Sequence, residues 1–210
     1  MLLVIGNKRL SSWSLRPWLV LKFFDIPFEE KLIYLDQATT TAEILKYSPT
    51  AKVPALSDGA IHVWDSLAIC EYVNDKYPEK QMWPSDVAAR AWARSISAEM
   101  HSGFAVMRKV MSHDLQKQQV TFVSHEAQAD IDRVKEIWTS CLKKSGGPYL
   151  FGSFSIADAM YAPVVNRFLT YAVPHEGLVG AYIKAIRELP AHQEWIREGL
   201  KETIEAPFHP

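Results

Sequence analysis

Cysteine is scarce in this sequence. Cys70 and Cys141 are the two present, far apart and in no C-x-x-C pair. That argues against a disulfide framework and a cysteine-built zinc cluster. His101, His113 and His125 show no metal-ligand spacing with carboxylates, so they read as surface residues and no metal is expected. An excess of charge of one sign is lacking too. The 23 basic and 24 acidic residues leave a net charge of −1, which gives no electrostatic footprint for nucleic acid or an anionic membrane. No apolar run approaches the roughly 20 residues needed to span a bilayer. Met1 to Ile5 is apolar but stops at Gly6 and lacks a basic flank, so it reads as a strand rather than a signal peptide. The expectation is a cytoplasmic protein without membrane or nucleic-acid partners. Internal repeats and low-complexity tracts are absent.

Core material is plentiful. A hydrophobic content of 48% and an aromatic content of 11% over 210 residues suffice for one large domain or two modest ones. Residues 2–6 predict a buried strand and 7–13 a loop. A helix is predicted from near Ser14 and Leu15 to Asp25-Ile26-Pro27, with Ser14 as its cap and Pro17 in its first turn, where a missing N–H costs nothing. Phe28 to Leu35 predicts a second strand and 41–47 a short helix. Val53-Pro54-Ala55-Leu56 predicts a strand that returns antiparallel through Ser57-Asp58-Gly59-Ala60 to Ile61-His62-Val63. Asp65-Ser66 then opens a helix carrying Leu67, Ala68, Ile69, Tyr72 and Val73.

This βαβαββα order ends at Tyr77-Pro78. Beyond it the spacing is helical over 87–112, 124–143, 155–172, 178–188 and 190–201, with Gly146-Gly147-Pro148, Pro174 and Pro190 as punctuation. A sheet-forming half followed by an all-helical half predicts two domains: an α/β domain over 1–78, a linker over 79–86 and an all-α bundle over 87–210.

The first strand, its hydroxyl-rich loop and the following helix form a junction that directs N–H groups and positive dipole at whatever lies above the loop. Ser11, Ser12 and Ser14 stand there. Four segments in order give the chain a family resemblance. Ser11-Ser12-Trp13-Ser14-Leu15-Arg16 resembles the Ser-Ser-Cys-Ser run of zeta-class glutathione transferases, with tryptophan in the cysteine's place. Ala51-Lys52-Val53-Pro54-Ala55-Leu56 resembles their cis-proline segment. Asp65-Ser66 resembles their Glu-Ser pair. Phe154-Ser155-Ile156-Ala157-Asp158-Ala159 resembles the capping box that opens a buried helix in their second domain. The chain therefore resembles the glutathione transferases, bacterial serine-type members related to zeta above all. The resemblance implies a thioredoxin-like first domain, a helical second domain, a homodimer, and glutathione as co-substrate with no metal.

It also implies roles. A free thiol with a pKa of about 8.5 is mostly protonated at neutral pH, and lowering that value by about two units takes roughly 2.7 kcal/mol in favour of the thiolate. Ser11, with Ser12 next, would donate its O–H to the sulfur. Val53 would offer its backbone to the cysteinyl residue of glutathione beside a cis Pro54. Lys52 would meet the glycyl carboxylate. Ser66 would take the γ-glutamyl carboxylate and Asp65 the ammonium, with a shorter reach than the family's Glu. Each of these residues also has an ordinary reading as a cap, loop or surface residue. Arg16 opposes the helix dipole where it stands, so it is expected in a salt bridge between the halves, in a carboxylate contact near the site, or simply solvated or paired.

An acceptor pocket between the domains would be walled by Trp13 and by a helical stripe of Met100, Phe104, Met107 and Arg108, although such a stripe is ordinarily core. Cys70 reads as buried and inert, Cys141 as oxidisable without a role, and Ser155-x-x-Asp158 as structural. The activity implied is thiolate attack on a small electrophile held between the domains. Zeta-like cis–trans isomerisation and peroxide reduction share that first step. A disulfide-exchange enzyme would want a cysteine near Ser11, and there is none. A non-catalytic binding protein that kept the fold is the alternative of another class.

Overall fold

The computed structural model describes residues 1–117 and 125–203. The first half holds β1 (Leu2–Gly6), α1 (Ser12–Phe23), β2 (Glu29–Ile33), α2 (Thr40–Leu45), β3 (Ala55–Asp58), β4 (Ile61–Trp64) and α3 (Ser66–Lys76). The sheet runs β2-β1-β3-β4. β1 and β2 are parallel, with Val4 opposite Lys31 and also opposite Ala55 of antiparallel β3. β3 pairs antiparallel with β4, with Ala55 opposite Trp64. The apolar run of β1 is what a central strand buried on both faces requires. β3 begins two residues later than the sequence suggests, after Pro54, which has no N–H for a ladder. The hairpin turn tightens to Gly59-Ala60, with Gly59 at φ +61.

A 3-10 turn, Pro78–Lys80, leads to the second half: α4 (Val87–Ser102), α5 (Ala105–Val110), α6 (His125–Ser145), α7 (Ile156–Thr170), α8 (Gly177–Glu188) and α9 (Pro190–Lys201). The predicted start of α6 at residue 124 lies outside the described residues. The single helix predicted over 87–112 is broken at Gly103-Phe104. A Cβ on Gly103 would lie 2.7 Å from the Glu99 carbonyl oxygen, and Phe104 turns left-handed at φ +55. No described helix is long and apolar enough to cross a membrane.

α7 explains how the halves join. It is buried from Ile156 through Phe168, the pattern of a helix packed on all sides, and α1 and α4 both lie against it. One continuous core runs from Leu3 and Trp18 of the first half to Trp138 and Trp195 of the second. Trp18 of α1 meets Trp195 of α9 edge-on at 5.1 Å. The other face of the sheet has a small core of its own, built from Val4, Ile33, Ile44 and Ala55. At the entry of α7, Asp158 accepts from the Leu150 N–H at 3.0 Å, the Ser155 N–H at 2.9 Å and the Ser155 hydroxyl at 3.0 Å. Burial pushes the Asp158 carboxyl up to about 6 despite these donors.

Candidate active site

The serine loop differs from its prediction. α1 starts at Ser12, and Ser11 rather than Ser14 is its N-cap. Ser11 Oγ accepts from the Ser14 N–H at 3.2 Å and donates its own proton to Ser14 Oγ at 2.8 Å. Ser14 Oγ also accepts from the Gly6 N–H at 3.1 Å, so Ser14 ties the end of β1 to the start of α1. Pro17 consequently falls in the second turn, where it leaves the Trp13 carbonyl without its helical donor. Ser12 Oγ accepts from Arg167 Nη2 of α7 at 3.4 Å, and its hydroxyl proton has no acceptor among the described residues. The Trp13 N–H is likewise without a partner there. A free hydroxyl proton and a free N–H thus stand at the positive end of α1, where donors of this kind can stabilise an anion.

Beside this helix end opens a cleft of about 450 Å³, lined by Trp13, Lys52, Val53, Pro54, Asp65 and Ser66, with Thr50 and Trp64 added. Ser11 and Ser12 are not in its lining. They lie nearly buried, 5% and 8% exposed, under the neighbouring α1 terminus. The Val53–Pro54 bond is cis, and Val53 makes no main-chain hydrogen bond with described residues. Asp65 is the N-cap of α3, held at φ +79. Its Oδ1 accepts from the Leu67 N–H at 2.9 Å and the Ala68 N–H at 3.2 Å. Its Oδ2 lies 3.1 Å from His101 Nε2 of α4. A left-handed aspartate costs on the order of 1–3 kcal/mol, and these contacts on both carboxylate oxygens hold it there.

Three guanidinium groups gather around Trp13 and Ser12. Arg16 is 2% exposed and has no carboxylate partner among the described residues, which sets aside both the salt bridge and the solvated reading. It donates to Ser66 Oγ at 3.3 Å, stacks on the Trp13 ring at 4.2 Å, and leaves Nε without an acceptor. Arg108 lies 5.4 Å from the same ring and donates to the carbonyls of Met100 and His101. Arg167 donates to the Met111 carbonyl at 2.8 Å as well as to Ser12. Burial, then the neighbouring Arg167 and Arg108, lower Arg16 to about 9. Burial and Arg108 lower Arg167 to about 10. Arg108 is lowered by its own burial. All three remain cationic at neutral pH, and their mutual destabilisation is relieved by any anion placed among them.

The acceptor wall expected from Met100, Phe104 and Met107 is not formed by them. Met100 and Met107 are fully buried and Phe104 nearly so, all in the main core, because their stripe is the inward face of α4 and α5. Of that group Trp13 lines the cleft, and Arg108 stands behind it, 5.4 Å from its ring. The histidines are misread in two cases of three. His101 bridges to Asp65. His113 is buried against Asn166 at 3.2 Å, with its pKa lowered to about 3 by burial and then by Arg167. Cys70 is fully buried, with its thiol pushed well up by desolvation. Cys141, read as oxidisable, is also buried, and its thiol rises to about 12. Thr50, Trp64, His101 and Arg167 escaped the sequence reading. Arg167 alone carried a signal, as an ion in an otherwise apolar helix.

Residues 10–76 match the family model for the glutathione S-transferase N-terminal domain, and residues 90–198 match that for the C-terminal domain. Glutathione S-transferase Z2 of Arabidopsis thaliana is 30% identical over 77% of this chain and 75% of its own. A probable maleylacetoacetate isomerase of Caenorhabditis elegans is 28% identical over 86% of this chain and 85% of its own. A glutathione transferase homolog from Burkholderia, solved with bound glutathione, superposes with a TM-score of 0.74 at 22% identity, covering 96% of this chain and 98% of that one. Both halves of the fold, joined through α7, thus carry the match, and the chain belongs to the glutathione S-transferase family.

Proposed function

We propose that the protein binds glutathione in the 450 Å³ cleft and holds its sulfur as a thiolate under the N-terminus of α1, with the Ser12 hydroxyl as the direct donor. Ser11 is the less suitable of the two, because its proton already goes to Ser14 and its oxygen caps the helix. Val53 offers unpaired peptide groups to the cysteinyl backbone, in the manner of an added strand. Lys52, with Thr50 beside it, receives the glycyl carboxylate. Ser66, through its hydroxyl and its own N–H, with Arg16 behind it, receives the γ-glutamyl carboxylate, and Asp65 receives the ammonium. The observation that carries this reading is the convergence of residues 52–54, 65 and 66 on one cleft beside α1, where Ser12 keeps an undonated proton.

The chemistry follows from the thiolate. The thiol proton leaves to solvent, the sulfur lone pair forms a bond to the electrophilic carbon, and the leaving group departs with the displaced electron pair. Where the electrophile is a conjugated cis alkene, the thiolate adds, the former double bond rotates, and elimination of the thiolate returns glutathione with the trans product. The guanidinium groups of Arg108 and Arg167 favour an acceptor that carries a carboxylate, which is the observation that favours the isomerase reading. The assembly proposed is a cytoplasmic homodimer in which 1–78 holds glutathione and 87–210 the acceptor.

Isothermal calorimetry with glutathione tests the first part. Binding is expected, and its absence would end the enzyme reading in favour of a non-catalytic protein. Turnover of a carboxylated electrophile against its methyl ester tests the second. The free acid should have the higher kcat/KM, and a preference for the ester would remove the arginines from acceptor recognition.

A further inference from the structure

The loop from Asn7 to Leu10 joins β1 to the serines, yet much of its polar contact is with the other half of the chain. The Lys8 and Arg9 N–H groups, consecutive in sequence, donate to the two carboxylate oxygens of Glu202 at 2.8 and 3.0 Å. The Arg9 carbonyl accepts from the Leu115 N–H at 3.2 Å. The Arg9 guanidinium meets Asp114 through two bonds, of 2.7 and 2.8 Å. Lys8 Nζ lies between Glu30 of β2, at 2.8 Å, and Glu198 of α9, over the rings of Trp18 and Trp195. Gln116 Nε2 closes this frame by donating to the Leu200 and Glu202 carbonyls at 3.2 and 3.0 Å.

Local helix chemistry does not explain the two acids of α9. Glu198 lies in its last turn and Glu202 is its C-cap, where the helix dipole disfavours a negative charge. The groups that offset this are in the serine loop: an ammonium for Glu198 and two N–H groups for Glu202. Gly199, between them, leaves room for the contact, since a Cβ there would lie 2.9 Å from Arg9 N. Three features of the end of α9 thus address one loop.

The loop passes its position on to the serines. The Asn7 carbonyl accepts from the N–H groups of Leu10 and Ser11 at 3.1 and 2.7 Å, and the Leu10 carbonyl accepts from that of Ser12 at 3.1 Å. A shift at Lys8 and Arg9 is therefore felt at Ser12. Among the described residues, the Ser12 side chain has one hydrogen bond to resist it, the long one from Arg167 at 3.4 Å. Hydrogen bonds weaken steeply with misalignment, and a displacement of about 1 Å at a reacting centre can lower a rate about a hundredfold.

We infer that Glu202 and Asp114 are positioning residues for thiolate formation: acting through Lys8 and Arg9, they hold the loop that aims the Ser12 hydroxyl at the glutathione sulfur. The inference rests on the role proposed for Ser12. Neither acid lines the cleft, so their loss should act on the thiol and not on affinity. The absorbance of bound thiolate is followed against pH in Glu202→Ala, the milder Glu202→Gln, Asp114→Ala and, for comparison, Glu194→Ala. Glu194 pairs with Lys22 at 2.7 Å, so it joins the same two helices, α9 and α1, at the end of α1 remote from the serines. The thiol pKa is expected to rise by about half a unit or more in Glu202→Ala and Asp114→Ala, about a threefold loss of thiolate below the pKa. It should rise less in Glu202→Gln and not at all in Glu194→Ala. Affinity for S-methylglutathione, which carries no thiol, should hold in all four. Hydrogen exchange at the Lys8 and Arg9 amides, which needs no ligand, should quicken in Glu202→Ala and not in Glu194→Ala, and circular dichroism reports folding. A melting temperature that falls while the thiol pKa holds, or an equal pKa rise in Glu194→Ala, would overturn the inference. If the unaltered chain binds no glutathione, the reading of the cleft fails and this one with it. If Ser12→Ala raises the thiol pKa and the Glu202 and Asp114 variants leave it unmoved, this inference alone fails.

Discussion

Replacing Ser12 by alanine separates the chemical role of the serine loop from its structural one. Among the described residues Ser12 Oγ has a single hydrogen bond, from an Arg167 N–H at 3.4 Å, and its proton is unspent. A hydrogen bond from that proton to a thiolate is charge-assisted and contributes about 1.5–3 kcal/mol. At about 1.36 kcal/mol per pKa unit, the thiol of bound glutathione should rise by about one to two units in Ser12→Ala. Folding should change little, because no other donor or acceptor is orphaned apart from one Arg167 N–H that keeps neighbours on the same guanidinium. Ser11→Ala should do the reverse. It removes the α1 cap, which costs about 1 kcal/mol, or about 2–4 °C in melting temperature at this chain length. It should leave the thiol pKa close to its starting value. The assay is the ultraviolet absorbance of the bound thiolate against pH, read beside thermal melts of both variants. The reasoning fails if Ser12→Ala leaves the thiol pKa unmoved, or if Ser11→Ala raises it by as much.

Four other outcomes follow. Asp158→Ala orphans the buried N–H groups of Leu150 and Ser155, at about 1–3 kcal/mol each, so its denaturation midpoint should drop steeply; an unchanged midpoint would remove the capping box as a keystone of α7. Gly199→Ala should destabilise, although alanine ordinarily favours a helix by about 1 kcal/mol. Its Cβ would lie 2.9 Å from Arg9 N and 3.0 Å from the Lys8 carbonyl carbon, and a stabilised variant would refute the close approach. Arg16→Met should weaken glutathione binding through loss of the cation behind Ser66, measured by calorimetry, and equal affinity would detach Arg16 from the site. Stability should fall as pH drops from about 6.5 towards 4. His113 and His192 are held down at about 3 and 4, so below about 6.5 the unfolded chain binds protons the native one does not, at about 1.4 kcal/mol per pH unit for each. Below about 6, Asp158, raised to about 6, works in the opposite direction and cancels one of them. Urea midpoints at pH 7, 6 and 5 should therefore decline, and a rise towards pH 5 would contradict the burial of the two imidazoles.

The elements were legible wherever local pattern decides them. The continuous apolar run of β1, the Asp-Gly turn and Asp65 as a helix opener each left a short-range mark, and the structure carries all three. The start of α1 was displaced by two residues because Ser11, Ser12 and Ser14 are equally good caps on local grounds. What decides among them is the Gly6 N–H, eight residues back in sequence, which claims Ser14. The stripe of Met100, Phe104 and Met107 shows the complementary difficulty. Helical spacing identifies an apolar face, but the same spacing serves a core and a pocket wall, and only the packing of α7 on α4 and of α6 on α5 decides. Arg16 was visible as a cation against a helix dipole. Its grouping with Arg108 and Arg167 depends on the packing of α1, α5 and α7, which no local pattern contains. His101 reaches Asp65 for the same reason, through a contact that spans the two halves.

The anchoring of Lys8 and Arg9 by Glu198 and Glu202 has a consequence for the order in which the protein is made. Lys8, beside the serine loop, leaves the ribosome 190 residues ahead of Glu198, one of the carboxylates that hold its flank. At about 5–20 residues per second, the interval is on the order of ten seconds or more. During that time the first half can form its sheet, but Lys8 and Arg9 lack these partners, and the core around Trp18 lacks Trp195. The nascent chain therefore acquires the complete frame of its serine loop only once α9 has emerged. The N-terminal end of α1 stays loosely framed until α9 is in place beside it.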